Sequence, residues 1–152
     1  MSNTTPLDTL IELAREARDQ AGQHLANERS TEQQAHQQLE SLQRYRQEYA
    51  CYLNDAMRQG VATATLHNTQ RFLASLDTAL CKARDGIEAQ RHKVERCQQH
   101  WQQEQRRLKA YDTLASRRAG EQAYHLSRRE QRTLDDLING RRQRENALPN
   151  GL

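Results

Sequence analysis

Residues 66–115 read LHNTQRFLASLDTALCKARDGIEAQRHKVERCQQHWQQEQRRLKAYDTLA. Every seventh residue from the first is apolar: Leu66, Leu73, Leu80, Ile87, Val94, Trp101, Leu108 and Ala115. A companion position three residues on holds Thr69, Leu76, Ala83, Gln90, Cys97, Glu104 and Tyr111. A disordered chain has no reason to keep such a register. A seven-residue repeat sustained over this many turns implies a left-handed coiled coil.

Upstream, a weaker stripe with the same spacing runs from the N-terminus to about residue 57. One arm reads Leu7, Ala14, Ala21, Glu28, Ala35, Leu42, Tyr49 and Ala56, and the other Leu10, Ala17, His24, Thr31, Gln38, Tyr45 and Tyr52. Ile11, Leu25, Leu39 and Leu53 lie just beside the second arm and widen the stripe. The seam is most polar over residues 24–38.

Punctuation defines two helices. Thr5-Pro6-Leu7-Asp8 reads as a helix start, with Thr5 as cap, Pro6 at the first helical position and Asp8 facing the positive helix end. Gln59-Gly60-Val61 reads as a stop, because glycine closes a helix in the left-handed conformation. Thr63 or Thr65 is then the expected cap of the second helix, and Asn139-Gly140 its end. The predicted elements are helix one over about 6–58, a turn over about 59–64 and helix two over about 65–139. Residues 1–140 thus form one domain, and residues 141–152, with RRQR and Pro-Asn-Gly, are an expected disordered tail.

The fold class is therefore all-α: a long antiparallel two-helix coiled-coil hairpin with a longer second helix. A short turn folds such helices back on each other. A turn centred near residue 61 pairs positions whose numbers sum to about 122. Residues from about 115 onward then lack a partner within the hairpin.

Composition agrees. Only 35% of residues are hydrophobic and 28% are charged, too little apolar surface for a globular core but enough for a seam. Residues 1–60 hold six Arg against nine acids; the remainder holds seventeen Lys or Arg against eleven acids. Three cysteines without CxxC spacing fit reduced cytoplasmic thiols. The first ten residues lack the basic head and apolar run of a secretory signal. No run of about 18 apolar residues is present to span a membrane.

Chemistry is hard to place on such a frame. Catalysis needs a pocket where groups converge, and a two-helix hairpin provides none, so no enzyme, no catalytic residue and no cofactor is expected. Asp135 and Asp136 point about 100° apart on a helix and read as a solvated face. Cys97 and His100 are two ligands where zinc wants three or four, so no metal is expected. Arginine pairs recur at 106–107, 117–118, 128–129 and 141–142. They fit a solvated face or an acidic partner better than DNA, which asks for a denser basic block ahead of a dimeric zipper. A polar rod carrying Tyr45, Tyr49, Tyr52 and Phe72 cannot hide every ring in a narrow seam, and exposed aromatics mark an interface.

Several of these segments have a precedent. Leu39-x-x-Leu42-x-x-Tyr45-x-x-x-Tyr49, the Gly60 turn, Phe72-Leu73-x-x-Leu76-x-x-Ala79, Trp101 and Tyr111-Asp-Thr-Leu-Ala-Ser-Arg together resemble the FliJ family of flagellar export proteins. The resemblance covers nearly the whole chain. It implies a cytoplasmic, non-enzymatic part of the type III export apparatus, associated peripherally with the inner membrane. Its implied partners are the export ATPase, whose ring it would assemble and activate as a stalk, the cytoplasmic part of the export gate membrane protein, and export chaperones. The implied gate-facing residues are Gln38, Leu42, Tyr45, Tyr49, Phe72, Leu76 and Ala79. The implied ATPase-facing residues are Arg117, Arg118, Arg128 and Arg129, with the first turns of helix one. Relatives often carry an aromatic where this chain has Thr69. A monomer with no nucleic-acid partner is expected; a self-assembling coiled-coil scaffold and, behind it, a basic helical nucleic-acid binder are the competing readings.

Overall fold

In the computed structural model of the chain, residues 4–148 are described, and they form two helices: α1, Pro6–Gln59, and α2, Thr63–Ala147. The residues divide into two compact units, Ala14–Arg106 and a second one made of the N-terminal segment to Leu13 with the segment from Arg107.

Within the unit Ala14–Arg106, α1 and α2 pack antiparallel as a hairpin. The observed pairs are 22 with 101, 28 with 90, 46 with 77 and 49 with 72, and their numbers sum to between 118 and 123. On α2 every residue of both predicted heptad positions in this unit is buried or half-buried, from Leu66 and Thr69 to Trp101 and Glu104. The first arm on α1 also lies inward, from Ala14 to Ala56.

The second arm of α1 is corrected. Residues His24, Thr31, Gln38, Tyr45 and Tyr52 are exposed, and the inward positions are one residue later: Arg18, Leu25, Glu32, Leu39, Arg46 and Leu53. The alternation of three and four residues is then unbroken from Ala14 to Ala56. Three of these inward positions are charged, which disguised the stripe, while off-seam Tyr45 and Tyr52 counterfeited it.

Polar side chains in the seam are paired across it. Gln90, buried on α2, donates from Nε2 to the backbone carbonyl of Glu28 at 3.0 Å and to the Glu28 carboxylate. Burying an amide without a partner is costly, so this layer favours one register over its neighbours. α1 is helical without interruption through the polar stretch 24–38, where Leu25 is buried. Gly22 makes room for Trp101: a Cβ there would lie 3.1 Å from the indole Nε1.

In the other unit Leu7 and Leu108 are buried, with Ile11, Tyr111 and Ala115 half-buried. After Ala115 every described residue of α2 except Gly140 is exposed. The helix nonetheless continues through Asn139-Gly140 to Ala147, across seven positions expected to be disordered, and residues 149–152 of that expected tail lie outside the described residues. Arg, Gln, Glu and Ala fill residues 141–147 apart from Asn146, and their helix propensity opposes the cost of Gly140.

Caps follow local chemistry. The Thr5 hydroxyl accepts from the Asp8 amide at 3.3 Å, and the Asp8 carboxylate accepts from the Thr5 amide at 3.1 Å and its hydroxyl at 2.8 Å. This reciprocal box ties down donors that the first turn leaves unpaired. Gly60, at φ 87°, ends α1 in the left-handed region. The second cap differs from expectation. The first turn of α2 closes with the Leu66 amide donating to the Ala62 carbonyl at 3.0 Å, so Ala62 occupies the cap position and Thr63 is already helical.

Two expected outcomes follow for stability. Leu80→Ala, at a buried seam position, should cost about 2–4 kcal/mol, and Gly60→Ala about 1 kcal/mol from left-handed strain, both read by urea unfolding monitored by circular dichroism. The Thr5 side-chain and backbone hydrogen bonds hold the Asp8 pKa below its ordinary value. Its contribution is therefore complete above the ordinary aspartate range and disappears as pH falls through the lowered pKa. Acid titration followed by amide NMR should show the first turn of α1 loosening there, and Asp8→Asn should remove that pH dependence.

Candidate functional site

Once the seam is assigned, the off-seam rings have nowhere to hide. Tyr45 and Tyr49 stand one helical turn apart on α1, with centroids 5.0 Å apart and edge-on. Phe72 reaches across from α2, 4.6 Å from Tyr49 and 6.1 Å from Tyr45. Tyr52 extends the row at 6.3 Å from Tyr49. Offset and edge-to-face contacts of this kind are favourable for aromatic pairs. The cluster is a surface feature: Phe72 is 38% exposed, Tyr45 43% and Tyr52 61%. Tyr49 is half-buried and touches each of the other three rings.

A hydrogen bond with Tyr49 and partial desolvation raise the Tyr45 phenol pKa above its ordinary value. A phenol is neutral at physiological pH even without this shift, so Tyr45 presents a ring with a hydroxyl. Such amphipathic side chains serve interfaces well.

The residues predicted to face a gate divide into two groups. Tyr45, Tyr49 and Phe72 form the connected cluster. Gln38 is exposed and Leu42 half-buried; both line a shallow surface depression with Gln34, Gln37 and Ser41. Ala79 is half-buried. Leu76 is only 7% exposed and lies in the seam, so it offers a partner little surface.

One feature of the site was missed. Arg46, at an inward heptad position, pairs with Asp77 of α2. Its Nε and Nη2 donate to the two carboxylate oxygens, the second at 3.4 Å. Asp77 is held below the usual carboxylate range by its hydrogen bond to Arg46, and the Arg46 guanidinium is raised by the same bond. The pairing rule brings the two positions near each other, since 46 and 77 sum to 123 against an expected value of about 122, but it does not single out this pair.

The second predicted surface lies on α2 beyond Ala115. Arg117, Arg118, Arg128 and Arg129 are all exposed. The Arg128 guanidinium stacks over the Tyr124 ring, 5.7 Å from its centroid. Tyr124, His125, Arg128, Arg129 and Arg132 line a shallow basic depression. Leu126, Leu134, Leu137 and Ile138 are exposed on the same segment.

Among the described residues, no group of three or more His, Cys, Asp or Glu side chains is placed to hold a metal ion, and no helix is long and apolar enough to cross a membrane. Cys51 and Cys81 are exposed and Cys97 is half-buried at its seam position. The depressions are open and shallow, which suits extended contact with another macromolecule rather than enclosure of a small molecule.

The sequence is similar to known proteins over most of its length. Residues 2–147 match the family described as Flagellar FliJ protein. A flagellar FliJ protein of Salmonella typhi is 31% identical over 137 residues, which covers 90% of this chain and 93% of the relative. One from Escherichia coli (strain K12) is 29% identical over the same extent.

Proposed function

Because this chain belongs to the flagellar FliJ protein family, a group of non-enzymatic components of the flagellar export apparatus, we propose that it is a stalk-like adaptor joining the export ATPase to the export gate. The aromatic cluster carries the gate half of this reading. Three rings from two helices form one connected surface, with Tyr45 and Phe72 exposed and Tyr49 half-buried between them. Interfaces draw their affinity from such aromatic anchors. Tyr45, Tyr49 and Phe72 contact the cytoplasmic part of the gate protein, with Gln38, Leu42 and Ala79 along the rim and Leu76 supporting from the seam.

The ATPase half rests on the basic segment of α2. Arg117, Arg118, Arg128 and Arg129 are all exposed on this part of α2. Guanidinium groups pair readily with carboxylates, and contacts of this exposed kind are weak and reversible. The segment engages carboxylates of the ATPase ring, favouring its assembly and activity. The protein works at the cytoplasmic face of the inner membrane, held there by the gate. Export chaperones belong to the same reading through the family alone, with no surface of this chain assigned to them.

A second reading has one observation in its favour. Leu134, Leu137 and Ile138 are 52–65% exposed on the C-terminal part of α2, and exposed apolar side chains at helical spacing can pair copies of a chain. A self-assembling scaffold would be a stable dimer or larger in dilute solution, where the adaptor is a monomer. Sedimentation equilibrium separates the two.

Reversing Arg117, Arg118, Arg128 and Arg129 to Glu together should return the export ATPase to its unstimulated rate with helical content unchanged; stimulation that survived would overturn the ATPase assignment. Tyr49→Ala, which removes the ring that touches each of the other three, should weaken binding to the purified cytoplasmic part of the gate protein by about tenfold or more, read by calorimetry.

A further inference from the structure

Arg46 occupies a position where the heptad calls for an apolar side chain. Leu39 and Leu53, one heptad before and after, fill it as expected. The guanidinium instead reaches Asp77 on α2 with two hydrogen bonds to the two carboxylate oxygens. The two side chains form an ion pair between the helices. It lies beside the rings: Tyr45 precedes Arg46, Tyr49 follows it by three, and Phe72 precedes Asp77 by five.

Apolar seam contacts are non-directional. They hold two helices together and leave each some freedom to roll about its axis. A two-point guanidinium–carboxylate contact is directional, because the planar fork fixes distance and angle together. The contacts of Phe72 with Tyr49 at 4.6 Å and with Tyr45 at 6.1 Å cross between helices, so they depend on that roll. The Tyr45–Tyr49 contact lies within α1 and does not.

We propose that Arg46 and Asp77 are a positioning pair: they set the relative roll of α1 and α2 so that Phe72 completes a single aromatic surface with Tyr45 and Tyr49, and they thereby set affinity for the gate. In this role the pair acts through the helices. The affinity half of the inference rests on the gate reading above; the ring-positioning half does not.

Three variants test it. Asp77→Asn keeps the shape and removes the charge. Asp77→Glu keeps the charge and serves as the conservative rescue. Arg46→Leu fills the seam position with the apolar residue that the heptad expects, so the hairpin stays folded and at least as stable. In the free full-length protein, NMR contacts between Phe72 and both tyrosines should weaken in Asp77→Asn and Arg46→Leu, while the Tyr45–Tyr49 contact and helical content hold. Affinity for the purified cytoplasmic part of the gate protein should fall by about two- to fivefold in those two variants, as suits an exposed pair, and return toward wild type in Asp77→Glu. Unchanged ring contacts in Asp77→Asn and Arg46→Leu would overturn the proposal outright. Wild-type affinity in both, beside weakened binding by Tyr49→Ala, would overturn its affinity half and leave the gate reading standing. Wild-type affinity in Tyr49→Ala as well would remove the gate reading itself.

Discussion

Two helices can share a seam only about one side chain wide, and the rest of this structure depends on that limit. A buried Leu contributes about 1.5–3 kcal/mol, and the chain has few such residues to place: Leu25, Leu76, Leu80 and Val94 within the larger unit, Leu7 and Leu108 within the other. The heptad register concentrates them along one line. Everything bulky off that line must face water. The exposure of Tyr45, Tyr52 and Phe72 is therefore a geometric consequence of the fold, and it is what makes them available to a partner.

The same narrowness makes polar seam positions informative. An apolar seam alone would tolerate slippage by a heptad, because one leucine resembles the next. The Gln90–Glu28 layer penalises such a slip by leaving an amide unpaired in the seam. The Arg46–Asp77 pair acts at a second level, nearer the turn and beside the rings. The chain thus spends apolar residues on cohesion and polar ones on alignment. On α2 beyond Ala115 neither device is present, and the helix there rests on intrinsic propensity and contacts such as Arg128 over Tyr124.

Much of this could be read from the residues. The α2 seam is legible from Leu66 to Ala115 because both heptad positions keep their register through Gln90 and Glu104. Family membership was legible from the ordered set of short segments. The α1 seam was half legible. Arg18, Glu32 and Arg46 break the apolar pattern at true seam positions, and Leu10 and Tyr45 imitate it one residue earlier. Hydrophobic periodicity cannot recognise an inward charge until its partner on the other helix is known. For the same reason the ring contacts could be anticipated as a cluster, but the ion pair beside them could not be singled out. The end of α2 was misjudged because Asn139-Gly140 carries a stop signal that the surrounding arginines and glutamines outweigh.

Amide hydrogen exchange on the full-length protein tests the central claim, that a thin internal seam alone holds this structure and leaves the end of α2 standing free. Slow exchange at Leu76, Leu80 and Val94, with fast exchange from residue 116 to Ala147, is the predicted result. Protection that stayed uniform through Ala147 would contradict it, since only burial of Leu126, Leu134, Leu137 and Ile138 against a second copy could then account for the pattern.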